Sequence, residues 1–451
     1  MADAPAFRNQ LVSLYQSAVD DLVRAQTGAG PSQRPGVENN LVQAAAKIGE
    51  LKASGVATLP ALAPTGISQG PWTCAKLAFE LMEARSRGDT VTAQRIEGEL
   101  SFNVCDVNWA QTIASYVAYF GPDGKRATIP YINATQVGAK TIPLQADATV
   151  ALIGDWGTGT AVAKEMLAEV AKQKPDVVIH LGDIYYSGTP SECDINFKQV
   201  LDTVLDRATT KLPVYTLAGN HDMYSGGAGF YGLLQALNSG DLRQPASFFC
   251  LRSVDNSWQF IGMDTGLHDY NPFDVTEVLT RLDPDEEKWI IARIGEFAGK
   301  TILLSHHQLF SAFSQIGPKN GDGSLNAYNG YLAASFTNFQ NAAPGRIAAW
   351  FWGHEHNLTV YNAYKLPDPL ETLEKGRCIG HGAVPVFATD GFYDVLPNLI
   401  DPPTFVDLKL ETDDQVYVHG FAIVRLKGDG TATAEYYEGT DGSTPMLTEQ
   451  L

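Results

Sequence analysis

The chain has 451 residues and a mass of 48.8 kDa, with 51 Asp+Glu against 32 Lys+Arg, a net charge of −19 and a pI near 4.8. A hydrophobic fraction of 44% with 10% aromatics builds a sizeable core, which excludes wholesale disorder. The acidity excludes a general affinity for nucleic acid or anionic membranes, and an anionic substrate would need local positive charge, for which a bound metal is the natural source.

No run approaches the ~18 consecutive apolar residues of a membrane span. The start, MADAPAFRNQLVSLYQ, has neither the basic nor the apolar region of a Sec signal peptide. The five cysteines (Cys74, Cys105, Cys193, Cys250, Cys378) are odd in number and lack CxxC spacing, as reduced thiols do. Together these features read as a cytoplasmic protein, with export by a non-Sec route left open.

Residues 1–125 read as a mostly helical extension. Leu11, Leu14, Ala18 and Leu22 share one helix face, and Leu41, Ala45, Ile48 and Leu51 share another. A long helical stretch then runs from about Trp72 to Tyr119. A cap packed on the main domain is the economical reading. At GPDGKRAT (121–128) the composition changes, and 126–147 reads as a connecting segment. From there strands alternate with helices: TVALIG (149–154), helix 161–173, VVIHLG (177–182), helix 196–208, LPVYTLAG (212–219). That order is the signature of a parallel sheet buried on both faces. Further strands follow at 247–253, 258–264, 301–305 and 348–353, with a helix opened by Asp283-Pro284. FAIVRL and TATAEYY form a hairpin about Gly-Asp-Gly. The catalytic domain is thus expected over 148–445.

Five motifs each follow an apolar strand: GDWG (154–157), GDIYYSG (182–188), GNHD (219–222), SHH (305–307) and GHEH (353–356). Open α/β sheets bind ligands at the carboxyl ends of their strands, so these motifs converge on one crevice. They deliver Asp155, Asp183, Tyr186, Asn220, His221, His306, His354 and His356. Oxygen and imidazole donors of this kind suit iron, zinc or manganese, and their number suits two ions sharing a carboxylate.

The ordered set resembles the calcineurin-type metallophosphoesterase superfamily, and within it the purple acid phosphatase branch. The resemblance implies a four-layer α/β/β/α sandwich, here carrying an N-terminal, mostly helical extension. The superfamily usually opens with Asp-x-His; this chain has Gly157 in the histidine's place. Tyr186, three residues after Asp183, stands where the branch places an iron-binding tyrosinate. Carried over, the resemblance implies one metal held by Asp155, Tyr186, His356 and a bridging Asp183, and a second held by Asp183, Asn220, His306 and His354. His306 is chosen over His307 because it matches the branch's ligand and directly follows the strand. His221 is implied to contact the phosphate and assist the leaving group, with Asp222 orienting it.

The implied activity is phosphomonoester hydrolysis by metal-activated water, with Fe(III) plus Fe(II), Zn or Mn as cofactors and a small-molecule phosphate ester as substrate. Paired cations neutralise the ester and acidify water, and an imidazolium assists the leaving alkoxide. No Lys or Arg stands in the five motifs, as metal-supplied charge allows. A phosphodiesterase on the same site, acting on a cyclic nucleotide, a phospholipid head group or a similar ester, is the alternative. The walls of the 308–345 loop decide between them. A non-catalytic scaffold is the third reading, and retention of the whole ligand set weighs against it.

Other residues carry plainer readings. Tyr185 reads as a core aromatic beside Tyr186, although an insertion would exchange the two. His307 reads as filling the next pocket, His180 as a satisfied strand histidine, and His268 and His419 as surface or packing residues. His381, in the Gly-flanked loop CIGHGAVP, is a secondary candidate for the cleft wall. Nothing activates Cys193. The chain also departs from the branch. Residues 308–323 lack the second histidine that some members carry, and the extension is helical where larger members have a β-sandwich.

Overall fold

The computed structural model describes residues 129–451 apart from Tyr186, 271–277, Asp368, Pro385, Phe387, 389–390, 414–415 and 440–443, together with scattered positions between 44 and 96. Of the extension, the described positions between 72 and 80 are helical, with Trp72, Ala75 and Phe79 buried. The helix face read at Leu11–Leu22 lies outside the described residues, as do Leu41 and Ala45 of the second face.

Two sheets face each other. The six-stranded sheet runs in the order Leu447–Gln450, Ala432–Glu438, Gly420–Leu426, Thr149–Ile153, Val177–His180, Val214–Thr216. Its last three strands are parallel, as the sequence leads one to expect. The seven-stranded sheet runs Ile142–Leu144, Phe249–Ser253, Trp258–Gly262, Lys300–Leu304, Ile347–Trp352, Gly376–Ile379, Leu358–Val360. The edge strands Ile142–Leu144 and Leu447–Gln450 lie wholly or partly outside 148–445, so pairing extends past both of those limits.

Side chains alternate across a strand, and here both faces are apolar, so each strand feeds two cores. Val150 and Leu152 point between the sheets while Ala151 and Ile153 point outward. Ile302 and Leu304 likewise face inward and Leu303 outward. The inner core is shared by both sheets. On the outer face of the six-stranded sheet lie helices Ala161–Lys172 and Ala228–Leu237, and on that of the seven-stranded sheet lie Pro284–Gly295 and Gly330–Ala342. The result is a four-layer α/β/β/α sandwich. A bidentate ion pair links the sheets: Arg377 Nε and Nη2 reach Glu449 Oε1 and Oε2 at 2.6 and 2.7 Å.

Local signals set the helix ends. The Thr160 hydroxyl accepts from the Ala163 N–H, and Asp283 caps a helix with Pro284 in its first turn. The helix expected over 196–208 is a composite. A π-helical turn, Cys193–Lys198, runs into Gln199–Val204, and left-handed Asp206 (φ 45°) ends it before the short helix Arg207–Thr210. The wide turn places Asn196 so that its amide donates to the Tyr185 carbonyl at 2.8 Å.

One buried acidic pair shapes the loop after Trp258–Gly262. Glu286 Oε1 accepts the Asp264 N–H at 2.8 Å, and Asp264 Oδ1 accepts the Leu267 N–H at 2.9 Å. Burial, then the Asp264 charge, pushes Glu286 well above the usual carboxyl range; burial pushes Asp264 up to about 6. A carboxyl with a raised folded pKa stabilises the fold below its unfolded pKa and loses that contribution as pH rises through the folded value. Glu286→Gln keeps the acceptor without the charge. Its thermal midpoint should exceed that of the wild type by a few degrees at pH 8, with the gap closing toward pH 4. An equal or lower midpoint at pH 8 would contradict the assignment.

Candidate metal centre

All five motifs lie beyond the carboxyl ends of strands, three on the six-stranded sheet and two on the seven-stranded one. Four of their residues are non-glycines in the left-handed region: Asp155 (φ 53°), Asp183 (73°), His354 (68°) and His356 (54°). Each such residue costs on the order of 1–3 kcal/mol and persists only where its surroundings over-determine it. Here they do. The Asp155 N–H donates to the Gly182 carbonyl at 3.1 Å, the Asp183 N–H to Asp222 Oδ2 at 3.0 Å, and the His354 N–H to Asp155 Oδ2 at 2.8 Å. Glycines admit the close approaches: a Cβ on Gly219 would lie 2.1 Å from Asp183 Oδ1, and one on Gly380 would lie 2.7 Å from the His356 nitrogen.

Two donor groups result. In the first, the buried Tyr185 hydroxyl lies 3.1 Å from Asp155 Oδ1, 3.3 Å from Asp183 Oδ2 and 2.9 Å from His356 Nε2. In the second, His306 Nε2 lies 3.1 Å from Asn220 Oδ1 and 3.2 Å from His354 Nδ1, and His354 Nδ1 is itself 3.1 Å from Asn220 Oδ1. The groups meet at Asp183, whose Oδ2 is also 3.3 Å from His306 Nε2. His306 Nδ1 faces the Leu181 carbonyl at 2.9 Å, which directs Nε2 inward.

The electrostatics follow from burial and crowding. Burial, with the Asp155 and Asp183 charges, drives the Tyr185 phenol well above its ordinary range. Burial opposes charge on His306, but the Asp183 carboxylate outweighs it and lifts the ring to about 9. Burial, aided by the neighbouring His307 and His306 rings, lowers His354. Burial would raise Asp183; the His306 and His221 rings hold it well below the carboxylate range. Two carboxylates and a phenol are thus gathered against imidazoles, with no Lys or Arg among the ion-pair partners of Asp155 or Asp183 among the described residues. Such a donor set fits hard or borderline cations, which would reverse the pressure on the phenol.

Around this centre lies a cleft of about 210 Å³, lined by Asp183, Asn220, His221, His354 and His356 on one side and by Asp269, Thr280, His307, Gln308, Ser314–Gly317 and Asn329 on the other. His221 Nε2 stands 3.9 Å from Asp183 Oδ2, its ring held between Tyr185 and Tyr224 at 4.5 and 4.9 Å.

Residues 148–358 match the family model for calcineurin-like phosphoesterases. The chain carries a calcineurin-like phosphoesterase domain. Tartrate-resistant acid phosphatase type 5 of Mus musculus is 35% identical over 82 residues, 16% of this chain and 25% of that protein. The Homo sapiens protein of the same name is 37% identical over 101 residues, 19% and 31%. The chain therefore spans between a quarter and a third of the length of these curated relatives. Their likeness agrees with the purple acid phosphatase resemblance of the motifs. Among solved structures, "Structure of PhoD" superposes with a TM-score of 0.45 at 12% identity, covering 69% of this chain and 70% of that one.

The phosphoesterase domain brings Asp155, Asp183, Asn220, His221, His306, His354 and His356 together. Tyr186 lies outside the described residues, and the phenol gathered among the carboxylates is that of Tyr185. GDIYYSG holds two adjacent tyrosines, of which Tyr185 is the described one. Asp222 has a backbone role beside the one expected of it. Its Oδ2 accepts the Gly219 and Asp183 N–H groups at 2.8 and 3.0 Å, so it braces the loop that carries the bridging carboxylate. Burial, then the Asp183 charge, lifts Asp222 to about 8.

His307 is more than pocket filling. It lines the cleft, tied at Nδ1 to the Thr265 hydroxyl (3.0 Å) and at Nε2 to Asp269 Oδ2 (3.2 Å). His381 is 1% exposed and absent from the cleft lining; its loop turns inward so that Gly380 backs Asp155 and His356 while Gly382 packs on Gly154 and Trp156. Sequence reasoning also passed over Glu355, between two left-handed histidines. Its carboxylate accepts from the Ser311 hydroxyl and from Trp352 Nε1, tying the histidine loop to the cleft wall.

Gly219→Ala would drive a methyl group into the Asp183 carboxylate. We expect a loss of about 1–3 kcal/mol in chemical denaturation, together with weaker metal uptake in titration. Wild-type values for both would show that the carboxylate has room to move.

Proposed function

We propose that the chain is a dinuclear-metal hydrolase of phosphomonoesters, with Asp155, Asp183, Tyr185 and His356 holding one ion and Asp183, Asn220, His306 and His354 the other. The observation that carries this reading is the position of Asp183 Oδ2, 3.3 Å from both the Tyr185 hydroxyl and His306 Nε2. Bound there, two ions would supply the charge that neutralises a phosphate and would acidify water at neutral pH.

The chain's own residues do the rest. Asp183 keeps the two donor groups in register, and Asp222 and Gly219 keep Asp183 in place. His221, fixed between two aromatic rings, offers a ring N–H to the phosphate and to the departing oxygen. The partial likeness to tartrate-resistant acid phosphatases favours monoesters over diesters.

The test is metal depletion and reloading followed by assay with p-nitrophenyl phosphate and bis(p-nitrophenyl) phosphate. Activity should depend on metal and favour the monoester. Asp183→Asn should lower kcat by at least about 10²-fold, and Asp183→Ala should lose both ions by elemental analysis. A variant retaining two ions per chain, or a diester preference, would count against the proposal.

The tyrosine assignment has its own readout. With iron bound and oxidised, a phenolate ligand gives a visible absorption band. Tyr185→Phe should lose the band and Tyr186→Phe should keep it. The reverse outcome would return the ligand role to Tyr186, where the family spacing puts it.

A further inference from the structure

We infer that the cleft selects esters whose leaving group is uncharged or cationic, and disfavours those carrying a second anion; this inference rests on the proposed phosphomonoesterase activity. Among the described residues lining the cleft none is Lys or Arg. Beyond the donor set the walls are neutral and mixed: Gln308, Ser314, Gln315 and Asn329 beside Val278 and Ile316. The one further charged residue is acidic, Asp269, 5% exposed and bonded to His307.

The same bias runs through the sequence of every segment that forms the walls. Residues 212–242, 253–270, 278–280, 301–318 and 320–345 contain no Lys or Arg. The cations that interrupt these segments are directed elsewhere. Arg346 donates to the Phe297 carbonyl, and Arg281 and Lys319 are exposed and outside the lining.

The transferred phosphoryl group would meet the cations that Asp155, Asp183, Tyr185, Asn220, His306, His354 and His356 would hold. A carboxylate or a second phosphate on the leaving group has nothing comparable. It would leave water for a recess that holds Asp269, inside a chain of net charge −19. A hydroxyl, ether or ammonium group in that recess meets amides, hydroxyls and a carboxylate. Rejection by an uncompensated charge is a stronger discriminator than a missing contact.

The experiment compares kcat/KM of the metal-loaded protein for glycerol phosphate, phosphorylcholine, 3-phosphoglycerate and fructose 1,6-bisphosphate at low ionic strength. The first two should exceed the last two by about tenfold or more, with the gap narrowing as salt is added. Ile316→Lys should shift the ratio toward the anionic esters. Equal use of all four esters would overturn the inference, as would a preference for the anionic pair that disappears in Arg281→Ala/Lys319→Ala.

Binding of ethylphosphonate, 2-aminoethylphosphonate and phosphonoacetate, read by calorimetry on the same loaded protein, gives the order without turnover. Weak phosphonoacetate binding with no hydrolysis of any ester would sink the hydrolase reading and sustain the charge selection. Phosphonoacetate binding as tight as that of the others would sink the charge selection whatever the turnover.

Discussion

The Asp183 carboxylate meets the Tyr185 hydroxyl on one side and the His306 ring on the other, 3.3 Å from each, and it does so from a left-handed backbone. Holding an acidic side chain there without Lys or Arg requires that its other contacts be fixed in advance. Asp183 Oδ1 accepts the His221 N–H at 2.9 Å, its own N–H is taken by Asp222, and Gly219 leaves the space. The rest of the centre is arranged around that point. Asp155 and His356 close in from the far side, braced by the backbone of Gly380, while Asn220, His306 and His354 complete the near side.

The matched segment, 148–358, does not build this arrangement alone. Strand Gly376–Ile379 pairs with Ile347–Trp352 and leads into the glycine loop behind Asp155. Strand Gly420–Leu426 pairs with Thr149–Ile153, the strand that presents Asp155. The facing cleft wall, around Asp269 and Ser314–Gly317, lies within the matched segment itself.

Much of this was legible in the sequence, for physical reasons. Apolar strands followed at once by Gly-Asp, Asn-His or His-x-His put polar donors where a parallel sheet exposes its carboxyl ends, so the convergence could be read before any coordinates. Other features turn on matters that one-dimensional spacing does not carry. That Tyr185 joins the carboxylates depends on how one turn is wound, which spacing alone does not carry. The role of Asp222 depends on backbone N–H groups converging from two loops. The partition of strands between two sheets is hidden because both faces of nearly every strand are apolar, so alternation gives no outside. The edge strands Ile142–Leu144 and Leu447–Gln450 are short, and Arg377 with Glu449 shows its value only once the sheets are stacked.

The four left-handed residues carry a consequence for how this domain can change. Each is a place where glycine would relax the backbone and a place where glycine would delete a donor. Selection for a sturdier fold and selection for a working centre therefore pull these positions in opposite directions. A lineage that lost the need for the chemistry would gain stability by abandoning them first. In related chains, the residues at these four positions offer a marker of whether the chemistry is still under selection, independent of how well the surrounding sandwich is kept.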